Sequence, residues 1–329
     1  MKKELLFAAF ATVLLAGCSN EVSESYFTPS DRTPITVQTY TPGVTRVAGT
    51  EATDAAIKGT GFYLLAEDLA KEQYIVNTAF KYDAQMQVWG NVDDATFYWP
   101  DNANTQVEFT ALYDPNATYA ANPVCPITTD GIAITNVGES DYMVDNFTTT
   151  LADHPAGGVT IGFKHIMAAV KVVSIALEDG YDMKVGPVSI KEVPTSATYF
   201  VSDNAFQPGT VKSDSLQINN SSVAAAKGTF NNPYLLNTTS FSDVSNQVFL
   251  IPGVEYTLSF NYTISFAGES ASEIVTKTAK FTPVAGRLNT LKVSLSAGKV
   301  QISINVSSIP GWETQDDQGN PYEEDVELQ

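Results

Sequence analysis

Tyr256-Thr257-Leu258-Ser259-Phe260-Asn261-Tyr262-Thr263-Ile264-Ser265-Phe266 decides the fold class of this chain. Every even-numbered residue in it is large and apolar, and every odd-numbered one is Thr, Ser or Asn. Strand side chains alternate between two faces, so this pattern predicts a half-buried antiparallel strand. Downstream, Leu291-Val293-Leu295 and Val300-Ile302-Ile304-Val306 repeat the alternation and are joined through Ala297-Gly298. Upstream, Val159, Ile161, Phe163 and His165 share one face, and residues 107–111 form another run before the turn signal Asp114-Pro115-Asn116. Residues 59–66, 169–177 and 185–193 read as further short strands. Only residues 64–74 look helical, with Glu67 and Lys71 at i,i+4, so a short helix or loop is expected there. Long amphipathic helices do not alternate with these runs, which excludes wound α/β folds. The expected architecture is all-β, two β-sandwiches in series.

Composition agrees. The 329 residues suffice for two domains at roughly 150 residues each. The 17 Phe and 15 Tyr argue against disorder. With 18 basic and 37 acidic residues the net charge is −19, a surface that repels phosphate backbones and excludes nucleic acid as a partner. Two Cys and two His are too few for a disulfide scaffold or a structural zinc site. Catalytic signatures are missing as well. There is no Gly-x-Ser-x-Gly, Gly59-Thr60-Gly61 lacks the third glycine of a dinucleotide loop, and Asp316-Asp317-Gln318-Gly319-Asn320 fails the spacing of a calcium loop. His154 reads as a loop residue and His165 as a core histidine. No enzyme, cofactor or metal is expected.

The N-terminus carries a secretory signal over residues 1–17, with Lys2 and Lys3 ahead of an apolar run that ends in Leu15-Ala16-Gly17-Cys18. That ending looks like a bacterial lipobox. Cleavage between Gly17 and Cys18 would leave the Cys18 thiol to receive a diacylglycerol, and acylation such as palmitate would anchor the protein to a membrane. Loss of residues 1–17, with two Lys and one Glu, would move the net charge from −19 to −20. Cys125 then has no partner for a disulfide and reads as a small buried hydrophobe. Residues 18–46 read as a polar tether in which Ile35, Val37 and Thr39 alternate as one short strand.

The body resembles the fimbrillin-like proteins, the type V pilin family. The matching pieces are Gly61-Phe62-Tyr63, Phe97-Tyr98-Trp99-Pro100 with residues 107–113, Asp141-Tyr142-Met143, Ile161-Gly162-Phe163-Lys164-His165 with residues 166–170, Val188-Ser189-Ile190-Lys191, Phe249-Leu250-Ile251-Pro252, and Ile309-Pro310-Gly311-Trp312. The resemblance implies two transthyretin-like β-sandwich domains, placed at 47–165 and 166–312, and export as an outer-membrane lipoprotein to the cell surface. It also implies assembly by strand exchange. A protease cuts after an arginine, the first strand leaves, and the groove accepts a donor strand from another fimbrial subunit. Arg46, followed by Val47, lies just after the strand candidate at 35–40, so a cut there would free it. Val300, Ile302, Ile304 and Val306 are the donor candidates.

The acidic tail, 313–329, carries seven acids and no base, a poor donor, which favours a tip or accessory subunit over the shaft. Expected partners are other fimbrial subunits, outer-membrane lipid through Cys18, and a host or bacterial surface receptor. The alternative is a lipid-anchored glycan-binding or adhesion module that never polymerises. Asp214-Ser215-Leu216 resembles a bacterial O-glycosylation acceptor at Ser215, expected in a polar loop. Trp99 and Tyr98 fit a sandwich core better than a sugar platform.

Overall fold

Phe62–Asp68, in the stretch where a helix is expected, is a strand, followed after a turn by the strand Gln73–Asp83. In this computed structural model, residues 32–40, 54–120, 125–128, 131–227, 242–243, 245–270, 273–297, 299–307 and 322–326 are described. The turn between those two strands closes through Lys71 N–H to Asp68 O at 3.1 Å, and Lys71 Nζ lies 3.9 Å from the Asp68 carboxylate rather than pairing with Glu67. The misreading has a physical cause. Phe62, Leu64 and Ala66 enter one hydrophobic cluster while Tyr63 and Leu65 enter another, so both faces of the strand are covered and the period-two signal is lost.

Phe62–Asp68 is central in a six-stranded antiparallel sheet. From one edge the order is Lys164–His165, Met143–Thr149, Val107–Tyr113, Phe62–Asp68, Gln73–Asp83 and Val88–Asn91. Facing it is a two-stranded sheet of Thr36–Tyr40 and Gly158–Gly162, paired in parallel from Thr36 opposite Gly158 to Tyr40 opposite Gly162. Val37, Val159 and Ile161 from the small sheet meet Phe62, Leu64, Phe80 and Phe109 from the large one in a single cluster, which makes this part a sandwich.

The second sandwich packs a seven-stranded sheet on a five-stranded one. Ala168–Ala176 runs parallel to Leu288–Ser296 in the first, and Tyr181–Pro194 pairs with Tyr256–Phe266 in the second. Val172, Leu291 and Val293 meet Val185, Ile190, Leu258 and Phe260 between them. The alternation that announced Tyr256–Phe266 holds through Phe260 and then fades, leaving Phe266 58% exposed. A four-stranded sheet joins Gly131–Thr135 to Ser196–Phe200. The one α-helix among the described residues, Asp54–Thr60, buries Ile57 completely. No helix among the described residues is long and apolar enough to cross a membrane.

One further expectation changes. Ser215 is exposed but lies within the strand Lys212–Asn219, not in a loop. The acidic tail supplies a strand, Tyr322–Val326, antiparallel to Lys299–Ser307. Charged residues are common on edge strands, because backbone ladders need no apolar side chains.

Candidate strand-acceptor groove

Ile35, Thr36, Val37, Gln38 and Thr39 alternate as their sequence predicts. Val37 is buried, Ile35 packs against the same cluster, and Thr36 and Gln38 face outward. The strand is held along one edge by its parallel ladder to Gly158–Gly162 and at its start by bonds outside that ladder. Ile35 N–H donates to Phe97 O at 2.9 Å, Trp99 N–H to Thr33 O at 3.0 Å, and Thr36 N–H to Gly157 O at 3.1 Å. Gly157 has φ +79, and a Cβ there would collide with the carbonyl oxygen of Pro34 and approach Thr33 Cγ2 to 2.8 Å. Only glycine lets the strand come this close.

The opposite edge of Thr36–Tyr40 carries no ladder among the described residues. It faces Val88–Asn91, the last strand of the six-stranded sheet, across a slot of about 630 Å3. Across the slot Trp89 Nε1–H donates to Thr39 Oγ1 at 3.2 Å. Trp89 is fixed edge-on to Phe62 and Tyr82, at centroid separations of 4.8 and 5.3 Å. Lys58 Nζ sits 5.1 Å over the Tyr82 ring. At the far end of the ladder, Gly162 N–H donates to Asp145 Oδ2 at 2.7 Å, and burial pushes the Asp145 carboxyl above its ordinary value despite that bond and nearby Lys164.

This arrangement holds an extended segment of the chain's own backbone. Trp99 is a core residue, 2% exposed, with Nε1–H donating to Gly157 O at 3.1 Å. His154 caps the short 3-10 turn Leu151–Asp153 and stacks on Trp99 at 6.1 Å. His165 is buried with Nδ1 at 2.8 Å from Asp141 Oδ2, in keeping with a core histidine. Among the described residues no three His, Cys, Asp or Glu side chains converge as metal ligands.

The remaining sequence-expected residues fall in two groups. Gly17, Cys18, Arg46 and Val47 lie outside the described residues. Val300, Ile302, Ile304 and Val306 lie on Lys299–Ser307, which is laddered on both sides, by Leu288–Ser296 and by Tyr322–Val326. Trp89, Gly157 and Asp145 have no sequence signal of their own, because each acts on a partner brought near only by folding.

A family model described as fimbrillin-like matches residues 45–312. Among solved structures, a candidate cell adhesion protein from Bacteroides ovatus shares 14% identity, covers 87% of this chain and 99% of its own, and superposes with TM-score 0.50. Another from Bacteroides uniformis shares 15% identity over 84% and 98%, with TM-score 0.48. A fimbrial assembly protein from Parabacteroides distasonis shares 11% over 91% and 99%, with TM-score 0.44. No curated protein matches.

Proposed function

The chain belongs to the fimbrillin-like family, and from that premise we propose that it is a subunit of surface fimbriae assembled by donor-strand exchange. Family membership carries the coarser statement: a cell-surface, adhesion-type protein that associates with other fimbrial subunits. The finer reading is supported by one observation. Among the described residues Thr36–Tyr40 is held by a single ladder, and the covalent path from it to the helix Asp54–Thr60 is residues 41–53, which include Arg46 and Val47. A cut at Arg46 would reduce the strand's attachment to that ladder, its end bonds and its apolar contacts.

Once the strand leaves, the Gly158–Gly162 backbone and the apolar walls around Val159, Ile161 and Phe62 lose their cover. Unpaired buried backbone groups are costly, so a donor strand would bind tightly and leave slowly. Export as a Cys18-acylated outer-membrane lipoprotein and the division into domains 47–165 and 166–312 belong to the same reading. The acidic tail argues for a tip or accessory position.

N-terminal sequencing of the protein in sheared fimbriae and in the membrane fraction tests it. We expect chains starting at Val47 in fimbriae and lipidated chains starting at Cys18 in the membrane. Finding only the lipidated form, with no fimbrial fraction, overturns strand exchange.

A further inference from the structure

We propose that a cleft between the edge of the six-stranded sheet and the four-stranded sheet is a binding site for a neutral saccharide. It encloses about 520 Å3, inside the range of about 300–1,000 Å3 usual for small-ligand sites. Its residues lie outside the slot beside Thr36–Tyr40, so the site goes beyond strand exchange and does not depend on it. One wall is the sheet edge, with Asp145 on Met143–Thr149 and Lys164 on Lys164–His165. The other is the hairpin of Ser196–Phe200 and Ala205–Pro208, which supplies Tyr199, Phe206 and, in the turn between the strands, Asn204.

The polar groups are held in place before any ligand arrives, which lowers the cost of binding. Gly162 N–H donates to Asp145 Oδ2 at 2.7 Å and fixes the carboxylate, whose two oxygens can accept further bonds. Tyr199 Oη–H donates to Asn204 Oδ1 at 2.7 Å, which orients the amide with its Nδ2 hydrogens as donors. Asn204 has φ +49, and its backbone N–H closes the turn onto Val201 O at 3.3 Å.

This chemistry narrows the ligand. A carboxylate acceptor, an amide donor and an ammonium donor around one cleft suit hydroxyls, which both donate and accept. Phe206, half-buried with its ring centroid 4.9 Å from that of Tyr199, and Pro252 add an apolar side for the C–H face of a sugar ring. A purely apolar ligand would desolvate the carboxylate and the ammonium without replacing their bonds. Asp145 and Lys164 cancel in formal charge, and His165, also at the cleft, is engaged with Asp141. With a net charge of −19 on the chain, the surrounding field repels sialylated or sulfated glycans. A neutral saccharide meets all of these conditions.

The test is a printed array of neutral, sialylated and sulfated oligosaccharides probed with the full chain carrying Cys18→Ser. Binding to neutral glycans is expected, with affinities then measured by titration of the free oligosaccharide. Asn204→Asp keeps the acceptor for Tyr199 and suits the left-handed turn, but removes the amide donor; it should weaken binding about tenfold. Phe206→Leu keeps an apolar side chain without a ring face and should weaken it about as much. Asn204 is exposed, so an unchanged thermal midpoint for Asn204→Asp separates lost binding from lost folding. Binding to no glycan on the array overturns the proposal, and so does a preference for the sialylated or sulfated ones. Neutral-glycan binding that neither variant weakens puts the saccharide elsewhere on the surface and overturns this site.

Discussion

His165 Nδ1 lies 2.8 Å from Asp141 Oδ2, and the two side chains are 1% and 0% exposed. The pair links the edge strand Lys164–His165 of the six-stranded sheet to the segment entering Met143–Thr149. Removing either partner breaks a buried polar pair and leaves the other group without this bond. Asp141→Leu and His165→Leu should each cost about 3 kcal/mol in urea unfolding, with the double variant less destabilised than the sum. A cost below about 1 kcal/mol for both would mean that the pair contributes little.

Gly157 decides whether the first strand can dock. Gly157→Ala forces a Cβ onto the Pro34 carbonyl at positive φ, a strain of about 1–3 kcal/mol. The expected outcome is faster exchange of the Thr36–Tyr40 amides with little change in the second sandwich, read residue by residue by hydrogen exchange.

Asp145 gives a pH dependence whose sign follows from its environment. Burial raises its folded-state pKa above the ordinary value, so the folded protein takes up a proton before the unfolded chain does. Stability from this group therefore rises as pH falls through the raised folded pKa towards the ordinary carboxylate value. Asp145→Asn keeps an acceptor for Gly162 N–H but removes the titration. The stability difference, variant minus native, should be most positive at neutral pH and shrink on acidification, as thermal unfolding across pH would record.

Cys125 is half-buried, and burial pushes its thiol up to about 11. The thiolate is the reactive species, so in a Cys18→Ser chain at pH 7 native alkylation should run at least about 100-fold slower than in denaturant. Comparable rates would show that Cys125 is open to solvent.

Much of this was legible in the sequence. Period-two runs located Tyr256–Phe266, Leu288–Ser296 and Gly158–Gly162 because each has one dry face and one wetter face. Residues 64–74 misled because Phe62–Asp68 is dry on both faces. Ser215 misled because a polar composition suits an exposed edge strand as well as a loop. The inward set Ile35, Val37 and Thr39 was readable, but Trp89 was not. It lies 50 residues from Thr39, and nothing local marks an indole as a donor to that hydroxyl.

By itself the sequence determined the fold class and the alternation of a short strand ahead of Arg46, because these depend on residues adjacent in the chain. The tertiary structure alone decided that this strand lies parallel to Gly158–Gly162, that Gly157 admits it, and that Trp89 faces its last inward residue. Parallel pairing joins segments more than 100 residues apart. Its partners are selected by which dry faces can share one core, a property of the packed sheets that no local pattern encodes.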